Sequence, residues 1–375
     1  MSDARHPDGK RTRPPHIIEI GQVPFMWRAF PDTTEFFSTW PDQREAWPDR
    51  GFHIVSLSTL SRLARALRNP GVDLIVVHSA PFAPWDVRAV SRSLFRRSAL
   101  QGNIALIRSF GPQLIRRAST APVAVVDFGD SPVVTRSELF LLDRATLYFK
   151  RELPPDHWRL FAGSVHWNVP TPRFRSAARH QKRLSKVRAL SLGISSEVFE
   201  WSRAHALPVA DKTVDVFFAG RINGSSTLRQ RGIAELLSLR ADGYVIDVSD
   251  ARLPIDEYLA RCVRARIVWS PEGLGWQTFR TYEAALCNAV PLSNRPTIEL
   301  YKPLSAEILA LYYDPEPGAL QQAAKSALAD PVRLGRIAAA ARDHVLAHHT
   351  PSAIARYVLE QTLQAAGARA RSNGD

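Results

Sequence analysis

Cysteine is nearly absent from this sequence, with two in 375 residues, Cys262 and Cys287. Both sit among aliphatic neighbours in segments of helical periodicity, so buried reduced thiols are expected, not a disulfide framework or a thiolate metal site. Long apolar runs are missing as well. Stretches such as Leu74 to Val77 and Val123 to Val126 fall far short of the ~20 residues that span a bilayer. Met1 to Pro15 carries Arg, Lys and His with no apolar stretch behind it, so no secretory signal is read and a cytoplasmic location is expected. The histidines, including His344, His348 and His349, show no metal-binding spacing with carboxylates, and neither a metal nor another cofactor is expected.

What is present is basic charge on an otherwise ordinary globular composition. Forty-nine Lys and Arg face 36 Asp and Glu, a formal net charge of +13. Such an excess speeds the approach of anionic partners, whether phosphorylated small molecules, an anionic membrane surface touched peripherally, or nucleic acid. Specific nucleic-acid recognition is not expected. Arg96-Arg97 and Arg116-Arg117 lack interleaved aromatics, and no zinc-finger or RNP pattern occurs.

The length suits two domains. Residues 1–14 read as a disordered tail. A first series of strands and helices follows: strand His16 to Ile20, strand Gly51 to Leu57, helix Thr59 to Arg68, strand Val72 to His78, helix Trp85 to Phe95, strand Asn103 to Ile107, helix Pro112 to Ala118 and strand Val123 to Phe128. A second runs from strand Val214 to Ala219 through helix Leu228 to Leu239, strand Tyr244 to Val248, helix Ile255 to Val263, strand Ala265 to Ser270 and helix Thr278 to Leu286 to strand Val290 to Ser293. Strands alternating with helices predict α/β architecture with two doubly wound, Rossmann-like parallel sheets facing a cleft. The predicted division is 15–205 for the first domain, 206–350 for the second, 351–367 for a C-terminal helix and 368–375 for a tail. Arg173 to Arg188, with seven Lys or Arg and no carboxylate, reads as a basic linker. Ile354, Tyr357, Val358, Leu359 and Leu363 form an apolar stripe that must be buried somewhere.

Ligands of open α/β sheets bind beyond the carboxyl ends of the strands, and two loops in the second half stand out. After Phe217-Phe218-Ala219 come Gly220, Arg221, Gly224 and Ser225. There small residues admit an anion to backbone amides, a serine caps the next helix, and Arg221 with Arg229 balances a diphosphate. A tight turn with solvated arginines is the plainer alternative. The second is Ser270 to Pro291, where Glu272, Gly273, Gly275, Trp276 and Thr278 lead into a helix bearing Arg280 and Glu283. Trp276, Arg280 and Glu283 fall at i, i+4 and i+7, hence on one predicted helix face, and Asn288 is placed to stop the helix in the αL conformation. A solvated ion pair between Glu283 and Arg280 is the competing explanation.

The segment from Ser270 to Pro291 resembles the donor loop of GT-B glycosyltransferases, most closely the exostosin-like and CgeB-like branches. Those branches place glycines and an acidic residue before a helix containing Arg and Glu-Ala and close on a Val-Pro strand. Gly220-Arg221 and Leu192-Gly193-Ile194 are similar to turns in the same families. The resemblance spans about residues 190–350 and covers no motif before them. It implies a nucleotide-diphosphate sugar donor, with Glu283 on the ribose hydroxyls, Arg221 and Arg280 on the diphosphate, and Glu272 to Gly275 on the transferred sugar. It also implies a C-terminal helix that crosses back to the first domain. The paired glutamates of one large branch stand closer together than Glu272 and Glu283. The acceptor is left open among glycan, lipid-linked and protein hydroxyls.

In the first half, Asp127-Phe128-Gly129-Asp130 follows an apolar strand, so Asp127 or Asp130 is a candidate general base for an inverting transfer; an Asx turn is the structural alternative. No other kinase element accompanies this spelling. The charged run Lys150-Arg151-Glu152 ends another strand and is read as an internal ion pair. Two other functions compete with transfer. One is a non-catalytic sugar-nucleotide or glycan-binding protein of the same fold. The other is an NAD-dependent oxidoreductase, against which the absence of Gly-x-Gly-x-x-Gly after the first strand of either half argues.

Overall fold

The computed structural model describes residues 13–39, 51–79, 110–118, 121–162, 178–205, 207, 210–221 and 226–372. The N-terminal tail up to residue 12, helix 85–95, strand 103–107, Ser225 and the first part of the basic stretch lie outside these residues. Among the described residues two sheets form. The first contains β1 (Ile17–Gly21), β2 (Thr34–Ser38), β3 (Phe52–Ile54), β4 (Leu74–His78), β5 (Val123–Asp127), β6 (Leu147–Lys150) and β7 (Val187–Ala189) in the order β3-β2-β1-β4-β5-β6-β7. The second contains β8 (Val214–Ala219), β9 (Ile246–Ser249), β10 (Ala265–Trp269), β11 (Val290–Asn294) and β12 (Leu311–Tyr313) in the order β12-β11-β10-β8-β9. Every pairing between these strands is parallel.

Helices cover both faces, which is why the central strands are apolar along their whole length. Alternation assigns each residue to a face. Ile18, Ile20, Ile75, Val77 and Val125 pack into one core of the first sheet, while Ile17, Leu74, Val76, Ala124 and Val126 pack into another on the opposite face. The second sheet divides in the same way, with Phe217 and Val268 on one face and Val216, Phe218, Ile267 and Trp269 on the other. Burying each such side chain contributes about 1.5–3 kcal/mol. Local signals set the helix starts. Ser56 and Thr59 form a capping box on helix Leu57–Ala66, and Asp330 accepts a hydrogen bond from Arg333 N at 2.9 Å ahead of Pro331 at the first turn of helix Pro331–His348. Asn288, with φ of 54°, follows helix Phe279–Leu286 in the left-handed conformation anticipated for it.

The C-terminal helix, Pro351–Ser372, crosses back to the first sheet. Ile354, Ala355, Val358 and Leu359 are buried with Ile17, Val76, Val126 and Phe149, and Arg369 donates to Thr146 O at 3.1 Å. Where a polar tail was expected from residue 368, the helix continues to Ser372, because Arg369 still finds a partner on the first domain. The domain division also shifts. Ile194 and Val198 pack with Val214, Phe217 and Tyr282 in the second core, so helix Ser196–His205 belongs by packing to the second sheet, not the first. Within the described residues the expected basic linker forms regular structure: Ala178–Leu184 is a helix and Val187–Ala189 is strand β7. Two of its charges are absorbed locally, Arg183 by Asp143 at 2.7 Å and Lys186 by the carbonyls of Leu142 and Asp143.

Candidate functional site

Each sheet reverses its strand order once, between β1 and β4 in the first and between β8 and β10 in the second. Such switch points are where open α/β sheets bind ligands. At the second one lies a cavity of about 570 Å³. It is walled by Ala219 and Arg221 after β8, by Gly273, Gly275 and Thr278 after β10, and by Arg280 and Glu283 on helix Phe279–Leu286. Asp130, Arg151 and Leu192 close it from the other side.

Two of the arginines here, Arg280 and Arg229, donate to backbone oxygens. Arg280 donates through Nε and Nη2 to Ala219 O at 3.0 and 2.6 Å and lies over the Phe218 ring, while its buried Nη1 has no hydrogen-bond partner. Arg229 donates to Glu272 O and Arg221 O at 2.9 and 3.2 Å, and burial, with Arg280 nearby, brings its guanidinium down to about 10. Gly220 sits beneath this cluster at a φ of 155°, which residues with a side chain rarely adopt, and a β-carbon there would stand 2.5 Å from Arg280 Nη2. Thr278, the residue before the first turn of helix Phe279–Leu286, gives that turn no side-chain cap and bonds instead to Ser270 Oγ at 2.7 Å. A helix start without a cap retains unpaired amide donors and the positive end of the helix dipole.

Glu283 projects from the next turn of the same helix. It is buried, accepting from Ser195 Oγ at 2.6 Å and Tyr258 Oη at 3.0 Å, and burial pushes its carboxyl above the usual range. It therefore pairs with two hydroxyls, where a solvated ion pair with Arg280 was the alternative reading.

Other candidates are placed differently from their sequence reading. Trp276 precedes the helix, which starts at Phe279, so helical spacing does not apply to it. Its indole turns inward, donating to Asn294 O and Arg295 O at 3.2 and 3.1 Å. Glu272 is bound through both its amide and its carboxylate to the side chain of Asn294 at the end of β11, at 3.0 and 3.1 Å, and is not among the cavity walls. Asp127 is buried and saturated by Tyr148 Oη, Lys150 Nζ and Gly129 N at 2.8, 2.8 and 2.9 Å. These bonds make it an anchor for β5 and β6, and a carboxylate so committed has little capacity to take a proton from a substrate. Asp130, three residues on, has a side chain 47% exposed and forms an ion pair with Arg151 Nη1 at 2.7 Å.

The residues overlooked in the sequence join the two halves. Glu152 accepts from the amides of Trp276 and Gln277 at 2.8 and 3.1 Å. A β-carbon on Gly275 would come within 2.7 Å of the Glu152 carboxyl, so the close approach needs glycine. Gln277 donates to Arg151 O and Leu190 O and accepts from Leu192 N and Tyr282 Oη. The Arg-Glu pair at the end of β6 was the available signal, and it is a bridge between domains as well as the expected internal ion pair. Among the described residues, no three His, Cys, Asp or Glu side chains are grouped to hold a metal, and no helix is long and apolar enough to cross a membrane.

Residues 235–360 match a family described as glycosyl transferase-like. No curated protein sequence matches the chain. Among solved structures it is similar to an α,α-trehalose 6-phosphate synthase from Burkholderia multivorans, with 10% identity, 96% of this chain and 98% of that one covered, and a TM-score of 0.56. It is also similar to a sucrose-phosphate synthase from Thermosynechococcus elongatus, at 11% identity, 94% and 100% coverage and a TM-score of 0.52. A third is HepE of Anabaena, solved with UDP and glucose, at 10% identity, 92% and 99% coverage and a TM-score of 0.51. Identities this low speak for the fold, and they do so over nearly the whole chain. Two parallel Rossmann-like sheets facing a cleft, with a last helix returning to the first, make this a chain of the GT-B fold whose residues 235–360 match a glycosyl transferase-like family.

Proposed function

We propose that the chain transfers a sugar from a nucleotide-diphosphate donor held in the switch-point cavity of the second sheet. The observation that carries this is one helix start. The uncapped first turn at Thr278, the unpartnered Arg280 Nη1 and the Glu283 carboxylate face one cavity, matching a diphosphate and a pair of ribose hydroxyls a helical turn apart. The HepE neighbour, solved with UDP and glucose, fits the same reading.

In this mechanism Arg221, Arg280 and the helix N-terminus stabilise negative charge as it develops on the leaving diphosphate, without a divalent ion. Gly273 and Gly275 bring backbone close to the transferred sugar. Asp130, on the first-domain wall of the cavity, takes the acceptor proton in an inverting displacement.

Calorimetry with UDP, GDP, ADP and dTDP tests the assignment. One diphosphate is expected to bind in the presence of EDTA, with Glu283→Ala and Arg280→Ala each weakening it at least about tenfold, the ~1.5–3 kcal/mol of a charge-assisted hydrogen bond. If none of the four binds, or if both variants bind as well as the parent chain, the assignment is wrong. Tight binding with no sugar released from any matching nucleotide sugar points to a binding protein of the same fold.

A further inference from the structure

A second cavity, of about 990 Å³, opens at the switch point of the first sheet. It is formed beyond the ends of β1, β4 and β5, and it meets the donor cavity at the Asp130 loop. Gly129 and Ser131 line the first-sheet cavity while Asp130 lines the other, and Arg151, Leu192 and Phe279 line both. Its walls are mainly apolar, with Val23, Phe25, Phe128, Val133 and Ile354 contributing. Phe25 and Phe128 stand edge to face, with centroids 5.4 Å apart.

Among the described residues, most of the charges at its wall are already engaged. Lys150 is paired with Asp127 at 2.8 Å, Arg151 with Asp130 at 2.7 Å and Arg28 with Glu200 at 3.8 Å. Glu138 accepts from Ser79 Oγ and from Thr135 N and Oγ1, and Glu197 is exposed to solvent. A phosphorylated or densely hydroxylated ligand would find few partners here, whereas an alkyl chain or an aromatic ring would replace water against carbon. Phe279 is 44% exposed and lines both cavities, so its ring offers apolar surface where they meet.

We infer that this cavity seats the acceptor, and that the acceptor is an alcohol with an apolar body. The inference rests on the nucleotide-sugar reading of the neighbouring cavity and adds the acceptor's chemical class. In the transfer, the acceptor oxygen forms a bond to the anomeric carbon. The bond from that carbon to the diphosphate oxygen breaks, its electron pair leaves with the diphosphate, and the acceptor proton passes to Asp130.

Binding of 1-butanol, 1-hexanol and 1-octanol to the full chain, with glucose as the polar counterpart, tests this by tryptophan fluorescence and NMR line broadening. Affinity should rise about two- to fourfold per added CH₂, and glucose should bind more weakly than 1-octanol. Val23→Asp, at an exposed position that folding tolerates, and Val133→Asp, on a different loop, should each weaken 1-octanol at least about tenfold without changing the affinity of the diphosphate identified above. Affinity independent of chain length, glucose binding as tightly as 1-octanol, or 1-octanol binding unaffected by both variants overturns the inference while leaving the donor site standing. Failure of every diphosphate to bind the parent chain removes the donor reading, and the acceptor role with it.

Discussion

Arg151 and Gln277 exchange hydrogen bonds across the junction of the two domains, Arg151 Nη2 donating to Gln277 O at 2.5 Å and Gln277 Nε2 donating to Arg151 O at 2.6 Å. Both residues are buried, and both line the cavity at the switch point of the second sheet. One of the contacts that join the two domains is thus part of the wall of the cavity.

Replacing Gln277 by Ala leaves Leu192 N, Leu190 O and Arg151 O buried without their partner. Each unsatisfied group costs about 1–3 kcal/mol, so with local relaxation the variant should lose about 2–4 kcal/mol. Urea unfolding at an unchanged midpoint would show that the junction contributes nothing to stability.

Lys150 is 1% exposed and its ammonium meets Asp127 at 2.8 Å. Lys150→Met should cost about 3–5 kcal/mol, because it strands a buried carboxylate. Adding Asp127→Asn to that variant should recover part of the loss. A double variant no more stable than Lys150→Met would mean that the charge of Asp127 is not what makes the single change costly.

Asp130→Asn should lower kcat by ~10²–10⁴ with donor affinity nearly intact, the usual scale for losing a general base. Turnover equal to the parent chain, or a product that retains the donor's anomeric configuration, removes Asp130 from that role.

Burial pushes the carboxyls of Glu138, Glu152 and Glu283 above the ordinary range. A raised folded-state value means that the native chain holds the proton more tightly than the unfolded one. Stability is therefore lost as pH rises from the ordinary glutamate value, ~4.3, through the raised one, and levels off above it. Glu138→Gln keeps the shape of the side chain and removes its share of that slope. Thermal melts from about pH 4 to about pH 8 should show a smaller decline for the variant, and parallel curves would refute the assignment. Glu35, brought down to about 2 chiefly by His53, whose Nε2 stands 3.7 Å from its carboxylate, acts in the opposite sense, its stabilisation fading as pH falls towards that value.

Three strands of the second sheet were legible because they are bounded by clear stops. Val214–Ala219 was placed to the residue, and β10 and β11 each to within one, whereas β9 starts two residues later than expected and β12 was not read. The first sheet was less so. Thr34–Ser38 carries a Glu and two polar ends, and Val187–Ala189 is three residues inside a basic stretch; both take their strand geometry from neighbours, which no local pattern encodes. The site divides in the same way. Arg280 and Glu283 could be read from their helix, because both stand one turn apart on the element that carries them. Trp276 could not, since one residue's difference in helix start decides which way it points. Gln277 and Glu152 matter through partners more than a hundred positions away, and that kind of relationship leaves no periodic trace.

The returning helix has a consequence for the order in which the molecule is made. It is synthesised after both sheets, yet it covers Ile17, Val76, Val126 and Phe149 on one face of the first. During translation that face emerges early and must wait for about half the chain's length or more before its native cover exists. Contacts of such long sequence separation form slowly, so the nascent first domain passes through a period with an uncovered apolar face. A chaperone that recognises exposed aliphatic surface would find it there, and release would coincide with docking of Ile354 and Val358.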